Sequence, residues 1–472
     1  MRSSKKIGEK TMDLKNYKHV HCVGIGGIGL SGIAEILLSR GYRVSGSDMK
    51  ESAVTEMLEQ QGAQVFIGHN ADNLGDTDLL VFSAAVSMEN PELAEARRRG
   101  IPIISRAEAL GAIMADYEIS VAVSGTHGKT TTTSMVSLIL EAANYSPTVL
   151  VGGILNQFHG NVKVGSSEYF VTEACEYMDS FLSLRPWVEI ILNIDSDHLD
   201  YFKDINHITE SFGKFAEKVP ESGFVVAFDA NPFVKSVTEN LPCRVITFGF
   251  NEASDYYAKA IKFNDFGMPS YDLYCKGEFL RRMELAVPGE HNVANSLAAT
   301  ATCMTLGVDL DIIEQTLENF TGTKRRFDVI GKTADGVSVI DDYAHHPAEI
   351  RATLAAARNL SHKKTWCLFQ PHTYTRTMAL FDQFADAFAD ADVIILAEIY
   401  AAREKNIYKM SSKKLMDEIK IKHPDKDVYF LPDFDAMAEF VCNNTSPGDI
   451  VITMGAGDIY KVGELILEKA GK

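Results

Sequence analysis

The sequence predicts an α/β protein of three domains that are built on parallel sheets. The chain has 472 residues, and at roughly 150 residues per domain this length favours about three domains. Apolar strand candidates alternate with helix candidates, which is typical of parallel sheets with right-handed crossovers. Two of the strands run directly into glycine-rich loops that precede helices. We expect domains over residues 1–117, 118–323 and 324–472.

The first glycine loop follows an apolar strand, His19–Val23, and carries glycines at positions 24, 26 and 29. A helix with apolar residues at helical spacing comes next, and a second strand, Tyr42–Ser45, precedes Asp48. This arrangement predicts a Rossmann-like domain in which loop amides bind a diphosphate and Asp48 accepts hydrogen bonds from a ribose. UDP and NAD both satisfy these contacts, and the motif alone favours NAD. A tight structural turn is the remaining alternative.

The second glycine loop lies in VAVSGTHGKTTT, residues 121–132, between an apolar strand and a long helix. We predict that it binds ATP and that the central domain is a P-loop-type ATPase. Main-chain N–H groups of such a loop point at phosphate oxygens. Lys129 would bridge the β- and γ-phosphates, and the Thr130 hydroxyl would coordinate Mg²⁺. Val123 stands where the standard pattern has its first glycine. The residues assigned to ATP in this loop are Gly125, Thr126, His127, Gly128, Lys129, Thr130 and Thr131.

Two polar residues follow strands of the central domain. Glu173 comes after the predicted strand Tyr169–Thr172, and His198 lies just past the predicted strand Val188–Asn193. Ligands of open parallel sheets gather at the carboxyl ends of the strands, so both side chains are expected to reach the metal and phosphates. An imidazole is an unusual ligand for a hard cation. The alternatives are a first-turn helix carboxylate and an ordinary loop histidine.

The third domain has polar residues at the ends of two successive strands. DDYAHHP, residues 341–347, contains Tyr343 and His345, and FQPHTYTRT, residues 369–377, contains His372 and Arg376. These side chains predict a second substrate pocket, with capped, solvated loops as the alternative. Pro347 suits the first position of a helix.

Composition excludes several classes of protein. The formal net charge of −18 argues against a general nucleic-acid binder, and anionic substrates must be held by local cations, amides or metal ions. No apolar run approaches the roughly 18 residues of a membrane span. The basic N-terminus, MRSSKKIGEK, is not followed by an apolar segment, so we expect a cytoplasmic enzyme. Seven scattered cysteines form no CxxC pair, which argues against a structural zinc site or a disulfide framework.

The order GIGGIG, GTHGKTT, EACE, DSDH, EHNVAN, KRRF, DDYAHHP and FQPHTYTRT resembles the Mur ligase family of peptidoglycan synthesis, from His19 to about Asp458. The first and seventh of these segments point to the branch that adds L-alanine. The resemblance implies a UDP-sugar in the first domain, ATP in the second and the amino acid brought by the third. It implies ATP and Mg²⁺ as cofactors and UDP-N-acetylmuramate and L-alanine as substrates. We expect a monomer or weak homodimer with no nucleic-acid or membrane partner.

The resemblance also implies roles for individual residues. Lys129, Glu173, His198 and His345 are the expected catalytic residues, and Thr130, Glu173 and His198 the expected Mg²⁺ ligands. His291, Asn292 and Asn295 would approach the adenine, Arg326 the phosphates and Asp342 the ribose side of ATP. Gly26, Gly27 and Ile28 would meet the UDP diphosphate, with Asp48 and Ser83 beside it. The amino acid and the acyl phosphate would meet Tyr343, His345, His372 and Arg376.

Two further positions bear on the amino-acid and metal sites. Some family members carry an arginine where this chain has Thr373, which would leave the alanine carboxylate to Arg376. Several siblings hold a metal with a carbamylated lysine, and Lys214 lies at a roughly suitable spacing, although we assign it no such role.

The implied chemistry is phosphorylation of a sugar carboxylate by ATP and attack of the L-alanine amine on the acyl phosphate. A peptide-recycling ligase of the same superfamily is one alternative, against which the regular GIGGIG loop argues. An NAD-dependent oxidoreductase is another, but it leaves Lys129 and Glu173 without a role. A non-catalytic nucleotide-gated binding protein is the third.

Overall fold

The computed structural model describes residues 12–158, 160–402 and 404–471, and its strands form three separate sheets. The basic N-terminal stretch noted above lies outside these residues. Within the described ranges no helix is long and apolar enough to cross a membrane. The three sheets agree with the predicted α/β class.

The first sheet has five parallel strands in the order β3-β2-β1-β4-β5. Its elements are β1 His19–Val23, α1 Ile28–Ser39, β2 Arg43–Asp48, α2 Ala53–Gln60, β3 Gln64–Ile67, β4 Leu79–Phe82, α3 Pro91–Arg99, β5 Ile103–Ser105 and α4 Arg106–Met114. The central strand β1 is buried along its whole length. Strand order reverses between β1 and β4, and such a switch point opens a ligand crevice beyond the strand ends.

The second sheet has ten strands in the order β15-β14-β13-β12-β11-β10-β6-β9-β7-β8. Its elements are β6 Ile119–Ser124, α5 Lys129–Ala142, β7 Thr148–Leu155, β8 Gly160–Lys163, β9 Tyr169–Glu173, β10 Val188–Ile191, α6 Ile205–Ala216, β11 Phe224–Phe228, α7 Pro232–Thr238, β12 Arg244–Gly249, β13 Tyr256–Phe263, β14 Pro269–Cys275, β15 Glu278–Glu284, α8 Glu290–Thr305 and α9 Leu310–Glu318. Strand β6 lies between β10 and β9 and pairs with both in parallel. Strands β13 to β15 form an antiparallel extension at one edge.

The third sheet has six strands in the order β16-β17-β21-β18-β19-β20. Its elements are β16 Asp328–Lys332, β17 Ser338–Asp342, α10 Pro347–Arg358, β18 Thr365–Phe369, α11 Tyr374–Ala379, α12 Phe381–Ala385, β19 Val393–Leu396, α13 Ser412–Lys422, β20 Asp427–Phe430, α14 Phe434–Asn444, β21 Ile450–Met454 and α15 Tyr460–Lys469. Strands β16 and β17 pair in an antiparallel way, and the other pairs of neighbouring strands in this sheet are parallel. Pro347 begins α10, as expected, and the His346 side chain caps it.

A buried carboxyl group lies next to the central strand of the second sheet. Glu189 of β10 is fully buried and accepts a hydrogen bond from the Ser124 hydroxyl at 2.8 Å. Burial raises the pKa of Glu189 from its ordinary value of 4.5 to about 8. The group is therefore protonated at neutral pH, just below the loop at Gly125.

We expect Glu189 to make stability depend on pH. Between pH 4.5 and about 8 the folded protein keeps a proton that the unfolded chain releases, so stability falls as pH rises, by up to about 1.4 kcal/mol per pH unit. The Glu189→Gln variant keeps the shape of the neutral acid. Its free energy of unfolding should therefore lack the pH dependence that Glu189 contributes. Urea denaturation of both proteins at pH 5 and pH 8 measures the difference. Parallel pH profiles would contradict the assignment.

Candidate active site

The loop at Gly125 has the backbone that its glycines require. Gly125 and Gly128 adopt φ values of 132° and 86°, which L side chains rarely adopt. A Cβ atom on Gly128 would lie 2.6 Å from Asn295 Oδ1. Helix α5 begins directly after this loop at Lys129. Val123, where a glycine was expected, is buried within β6 and is paired there with Ile190, so the strand continues through that position and the turn starts later.

Lys129 is engaged by its own loop and by a second acidic residue. Its ammonium donates to Gly125 O at 2.5 Å, Thr126 O at 3.1 Å and Glu176 Oε2 at 2.9 Å. Burial opposes the charge, but Glu176 outweighs it and raises the pKa of Lys129. Sequence reasoning gave Glu176 no role, although it lies in the EACE segment. The signal that could have found it is a second acid three residues after Glu173 at a strand end.

The three predicted metal ligands come from three segments of the central domain. Thr130 lies in the first turn of α5, Glu173 is the last residue of β9, and His198 lies in the loop after β10. Glu173 Oε1 accepts a hydrogen bond from the Gly152 amide at 2.6 Å. His198 Nε2 lies 3.9 Å from Glu176 Oε1, and its ring packs against Tyr177 with 4.7 Å between centroids. A hydroxyl, a carboxylate and an imidazole are suitable donors for a divalent cation, and the oxygens suit Mg²⁺ best. The tightest metal-like group in the described part of the chain is a different one, His127, Asp195 and His346.

A cavity of about 440 Å³ opens beside the loop. The predicted ATP residues that line it are His127, Gly128, Thr131, His291, Asn292, Asn295, Arg326 and Asp342. The sequence did not predict its aromatic lining, Phe228, Phe248 and Phe250, which suits a flat, largely apolar ring such as a purine. Burial lowers the pKa of His291 to about 4, so this ring is neutral.

The amides and the carboxyl group of this cavity are held in place. Asn292 Nδ2 donates to Pro288 O at 2.7 Å, and Asn295 Nδ2 donates to Asn292 Oδ1 at 3.0 Å. Asp342 accepts hydrogen bonds from the amides of Phe327 and Ala344, both at 2.7 Å. Burial raises the pKa of Asp342 to about 6.

The loop also contacts helix α10 of the third domain through a histidine. His127 Nδ1 and Glu349 Oε1 are 3.2 Å apart, and His127 Nε2 lies 3.7 Å from Asp195 Oδ2. Burial alone would lower the pKa of His127, but the carboxylates of Asp195 and Glu349 outweigh it and raise the pKa to about 9. His127 is therefore positively charged at neutral pH beside the nucleotide cavity. Glu349, which sequence reasoning missed, also accepts from the His345 amide at 3.0 Å.

The four predicted amino-acid-binding residues lie together. His345 Nδ1 donates to Tyr343 O at 2.9 Å, and the rings of His345 and His372 are 5.8 Å apart. Arg376 Nη1 donates to His372 Nδ1 at 3.0 Å. Burial lowers the pKa of His345 to about 3 and that of His372 to about 4. Both rings are thus neutral. Nε2 of His345 is an acceptor, whereas Nδ1 of His372 accepts from Arg376 and its Nε2 carries the proton.

Arg376 has a partner that the sequence did not predict. Its Nε and Nη2 atoms both lie 3.0 Å from Asp197 Oδ1, and both side chains are nine-tenths buried. Burial opposes ionisation of Asp197, but Arg376 holds the pKa of this carboxyl far below its usual range. The pair joins the third domain to the central one. Thr373, at φ 65°, caps the short helix that carries Arg376 through a bond from the Arg376 amide at 3.4 Å.

A second cavity of about 440 Å³ lies at the switch point of the first sheet, and its lining includes Gly27, Asp48 and Ser83, which were assigned to the UDP portion from the sequence. The Gly26 amide donates to Asp48 Oδ2 at 2.9 Å, so in this conformation it orients the carboxylate and is not free for a diphosphate. Ile28 begins α1 with a half-exposed side chain, and its carbonyl accepts a bond from Asn161 Nδ2 at 2.8 Å. This bond ties the first domain to the second.

Three family models match the chain in succession. They are described as Mur ligase family, catalytic domain, over residues 19–118, Mur ligase middle domain, over 123–303, and Mur ligase, glutamate ligase domain, over 325–457. The chain belongs to the Mur ligase family. The predicted family and α/β class are therefore confirmed, and the middle domain implies ATP binding. The domain boundaries at residues 117 and 323 stay predictions.

Full-length relatives agree with this assignment. The chain is 50% identical to the UDP-N-acetylmuramate–L-alanine ligase of Alkaliphilus metalliredigens over 97% of this chain and 98% of the relative. The protein of the same name from Caldanaerobacter subterraneus is also 50% identical, over 98% and 100%. The crystal structure of UDP-N-acetylmuramate-alanine ligase MurC from Thermotoga maritima matches with a TM-score of 0.80 and 31% identity, covering 96% and 99%. A murein peptide ligase from Psychrobacter arcticus matches at 0.72 and 26%, with the same coverage.

Lys214, to which we assigned no metal-binding role from the sequence, lies on α6. Its ammonium pairs with Glu210 Oε1 at 2.7 Å, and its side chain is 56% exposed.

We expect the Arg376–Asp197 pair to hold the third domain of this Mur ligase against the central one. Asp197→Asn leaves the Arg376 charge buried without its counter-ion, a loss on the order of 3 kcal/mol or more. The radius of gyration from small-angle scattering should therefore increase. Asp386→Asn is the matched control, because its pair with Lys422 lies within the third domain and is partly exposed, where such pairs contribute at most about 1 kcal/mol. An unchanged radius for Asp197→Asn would refute this role.

Proposed function

We propose that this protein is an ATP-dependent ligase that joins L-alanine to the lactyl carboxylate of UDP-N-acetylmuramate in peptidoglycan precursor synthesis. The observation that carries the proposal is a chain of polar contacts between the phosphate loop and the cleft of the third domain. Lys129 contacts Glu176 at 2.9 Å, Glu176 lies 3.9 Å from His198, and His198 lies 3.8 Å from Asp197. Asp197 in turn contacts Arg376 at 3.0 Å. The phosphoryl donor and the incoming amine can therefore meet in one site.

In the first step a lactyl carboxylate oxygen attacks the γ-phosphorus, and ADP leaves. Phosphoryl transfer needs positioning and charge stabilisation more than covalent help from the protein. The Lys129 ammonium and the amides of the Gly125 loop supply both, once Lys129 turns from Glu176 to the phosphates. Mg²⁺ held by Thr130, Glu173 and His198 would neutralise further charge on the phosphates. His127 adds a positive charge at the edge of the nucleotide cavity.

In the second step the amine of L-alanine attacks the acyl carbon, and inorganic phosphate leaves as the amide bond forms. The Nδ1–H of His345 is committed to Tyr343 O, so its other nitrogen can accept a hydrogen bond from the amine. Arg376 binds the alanine carboxylate, which takes the place of one contact with Asp197. Contact between the second and third domains excludes water from the acyl phosphate.

The UDP portion of the substrate occupies the cavity of the first domain. The amides of Gly27 and Ile28 bind the diphosphate there, and the carboxylate of Asp48 accepts from the ribose. We place the reaction in the cytoplasm, where ATP is available, and expect a monomer or a weak homodimer.

Phosphate release tests this proposal directly. Purified protein should release phosphate only when ATP, Mg²⁺, UDP-N-acetylmuramate and L-alanine are all present, and glycine and L-serine measured in parallel give the amino-acid selectivity. Lys129→Ala should lower kcat by roughly 100-fold or more, because it removes a preorganised cation from the transferred phosphoryl group. Lys214→Ala, on the exposed face of α6, is the matched control and should keep wild-type activity. Phosphate release with a tripeptide but not with free L-alanine would refute the proposal and indicate a peptide ligase.

A further inference from the structure

We propose that His69 reads the base of the nucleotide in the cavity of the first domain, and that the buried carboxylate of Glu92 holds His69 in its reading orientation. The inference deepens the proposed function, because it takes the ligand of this cavity to be a uridine nucleotide. Neither residue was predicted from the sequence. His69 is assigned direct contact with the base, whereas Glu92 is a positioning residue.

The position of His69 in the fold indicates contact with the base of the nucleotide rather than with its diphosphate. His69 lines the cavity together with Gly27 and Asp48. It follows β3, which lies on the side of β2 away from the glycine loop after β1. The Gly68 amide donates to Asp48 O at 2.8 Å, so His69 is one strand further along than the carboxylate expected to bind the ribose. A nucleotide laid across these strand ends puts its phosphates at the glycine loop, its ribose at Asp48 and its base near His69.

The hydrogen bonds of His69 determine which of its nitrogens faces a ligand. Its Nδ1 lies 2.9 Å from Ser47 Oγ and 3.2 Å from Glu92 Oε2. The Ser47 hydroxyl donates its own proton to Glu92 Oε2 at 2.6 Å, so the proton between Ser47 and His69 must come from Nδ1. In the neutral ring Nε2 is then an acceptor. Uracil offers an N3–H donor to such an acceptor, whereas cytosine has a lone pair at N3 and would leave the acceptor unsatisfied.

The buried carboxylate of Glu92 is well placed to fix the orientation of the His69 ring. Its side chain is fully buried and also accepts from Asn73 Nδ2 at 2.6 Å. Burial opposes its charge, but the neighbouring His21 ring, 3.7 Å away, and hydrogen bonds from Ser47 and Asn73 lower the pKa of Glu92 to about 2. A buried carboxylate is costly unless its oxygens are satisfied. The start of α3 does not require it, because Asn90 Oδ1 already caps that helix through the Glu92 amide at 2.8 Å.

The test compares UDP with CDP on the full-length protein by isothermal titration calorimetry. Wild type should prefer UDP, and His69→Phe, which keeps a flat ring but lacks the acceptor, should bind UDP roughly 10- to 100-fold more weakly and change CDP binding little. Glu92→Gln should reduce the UDP preference by a smaller factor. In the ligase assay KM for UDP-N-acetylmuramate should rise in both variants, with kcat and KM for ATP unchanged. His207→Phe, on α6, is the matched control.

The outcomes separate the inference from the proposed function. An unchanged ratio of UDP to CDP affinity in His69→Phe overturns the inference, as does a wild-type protein with no preference for UDP. If Glu92→Gln fails to fold, Ser47→Ala, which removes the other partner of Nδ1, takes its place and should lower the UDP preference. If wild type prefers UDP and His69→Phe loses that preference, the inference stands even where no phosphate is released with UDP-N-acetylmuramate, a result that would refute the proposed function alone.

Discussion

The ion pair between Arg376 and Asp197 is the interaction on which the arrangement of the site depends. Arg376 lies on α11 of the third domain, and Asp197 lies after β10 of the central domain. Both side chains are nine-tenths buried in this contact, so loss of either partner would leave the other as an uncompensated buried charge, and the closed contact requires both. Asp197 also neighbours His198, one of the proposed metal ligands. The contact between domains and the geometry of the phosphate site are therefore set by the same few residues.

A common principle governs the cations of this site, which must bind anions in a protein of net charge −18. Lys129 is paired with Glu176, Arg376 with Asp197 and His127 with Glu349. An anionic substrate must therefore exchange with a carboxylate that is already in place. The exchange lowers net affinity, but it keeps each cation oriented before the substrate arrives, and preorganised charges are what phosphoryl transfer requires.

Local patterns explain why much of the fold could be predicted from the sequence. Strand β1 has the predicted bounds, His19–Val23, because it is a short apolar run that ends at the glycine loop. The glycine loops at Gly24 and Gly125 were recognisable because their backbone needs glycine at fixed intervals. Strand ends were less accurate, since β2 extends to Asp48 and β10 ends at Ile191. The antiparallel pairing of β13 to β15 could not be predicted from the sequence, because local periodicity does not encode the order of strands in a sheet.

The same distinction applies to the residues of the candidate site: local sequence patterns indicate some of them, and the folded structure reveals the others. Lys129, His345 and Asp342 could be proposed from motifs because their own neighbours in sequence carry the signal. Asp197 and Glu349 could not, since each of these carboxylates acquires its role from a cation that lies elsewhere in the fold. Glu349 is 222 positions from His127, and Asp197 is 179 positions from Arg376. The motifs thus identify the groups that would act on the substrates, whereas the groups that orient them become visible only when the domains are brought together.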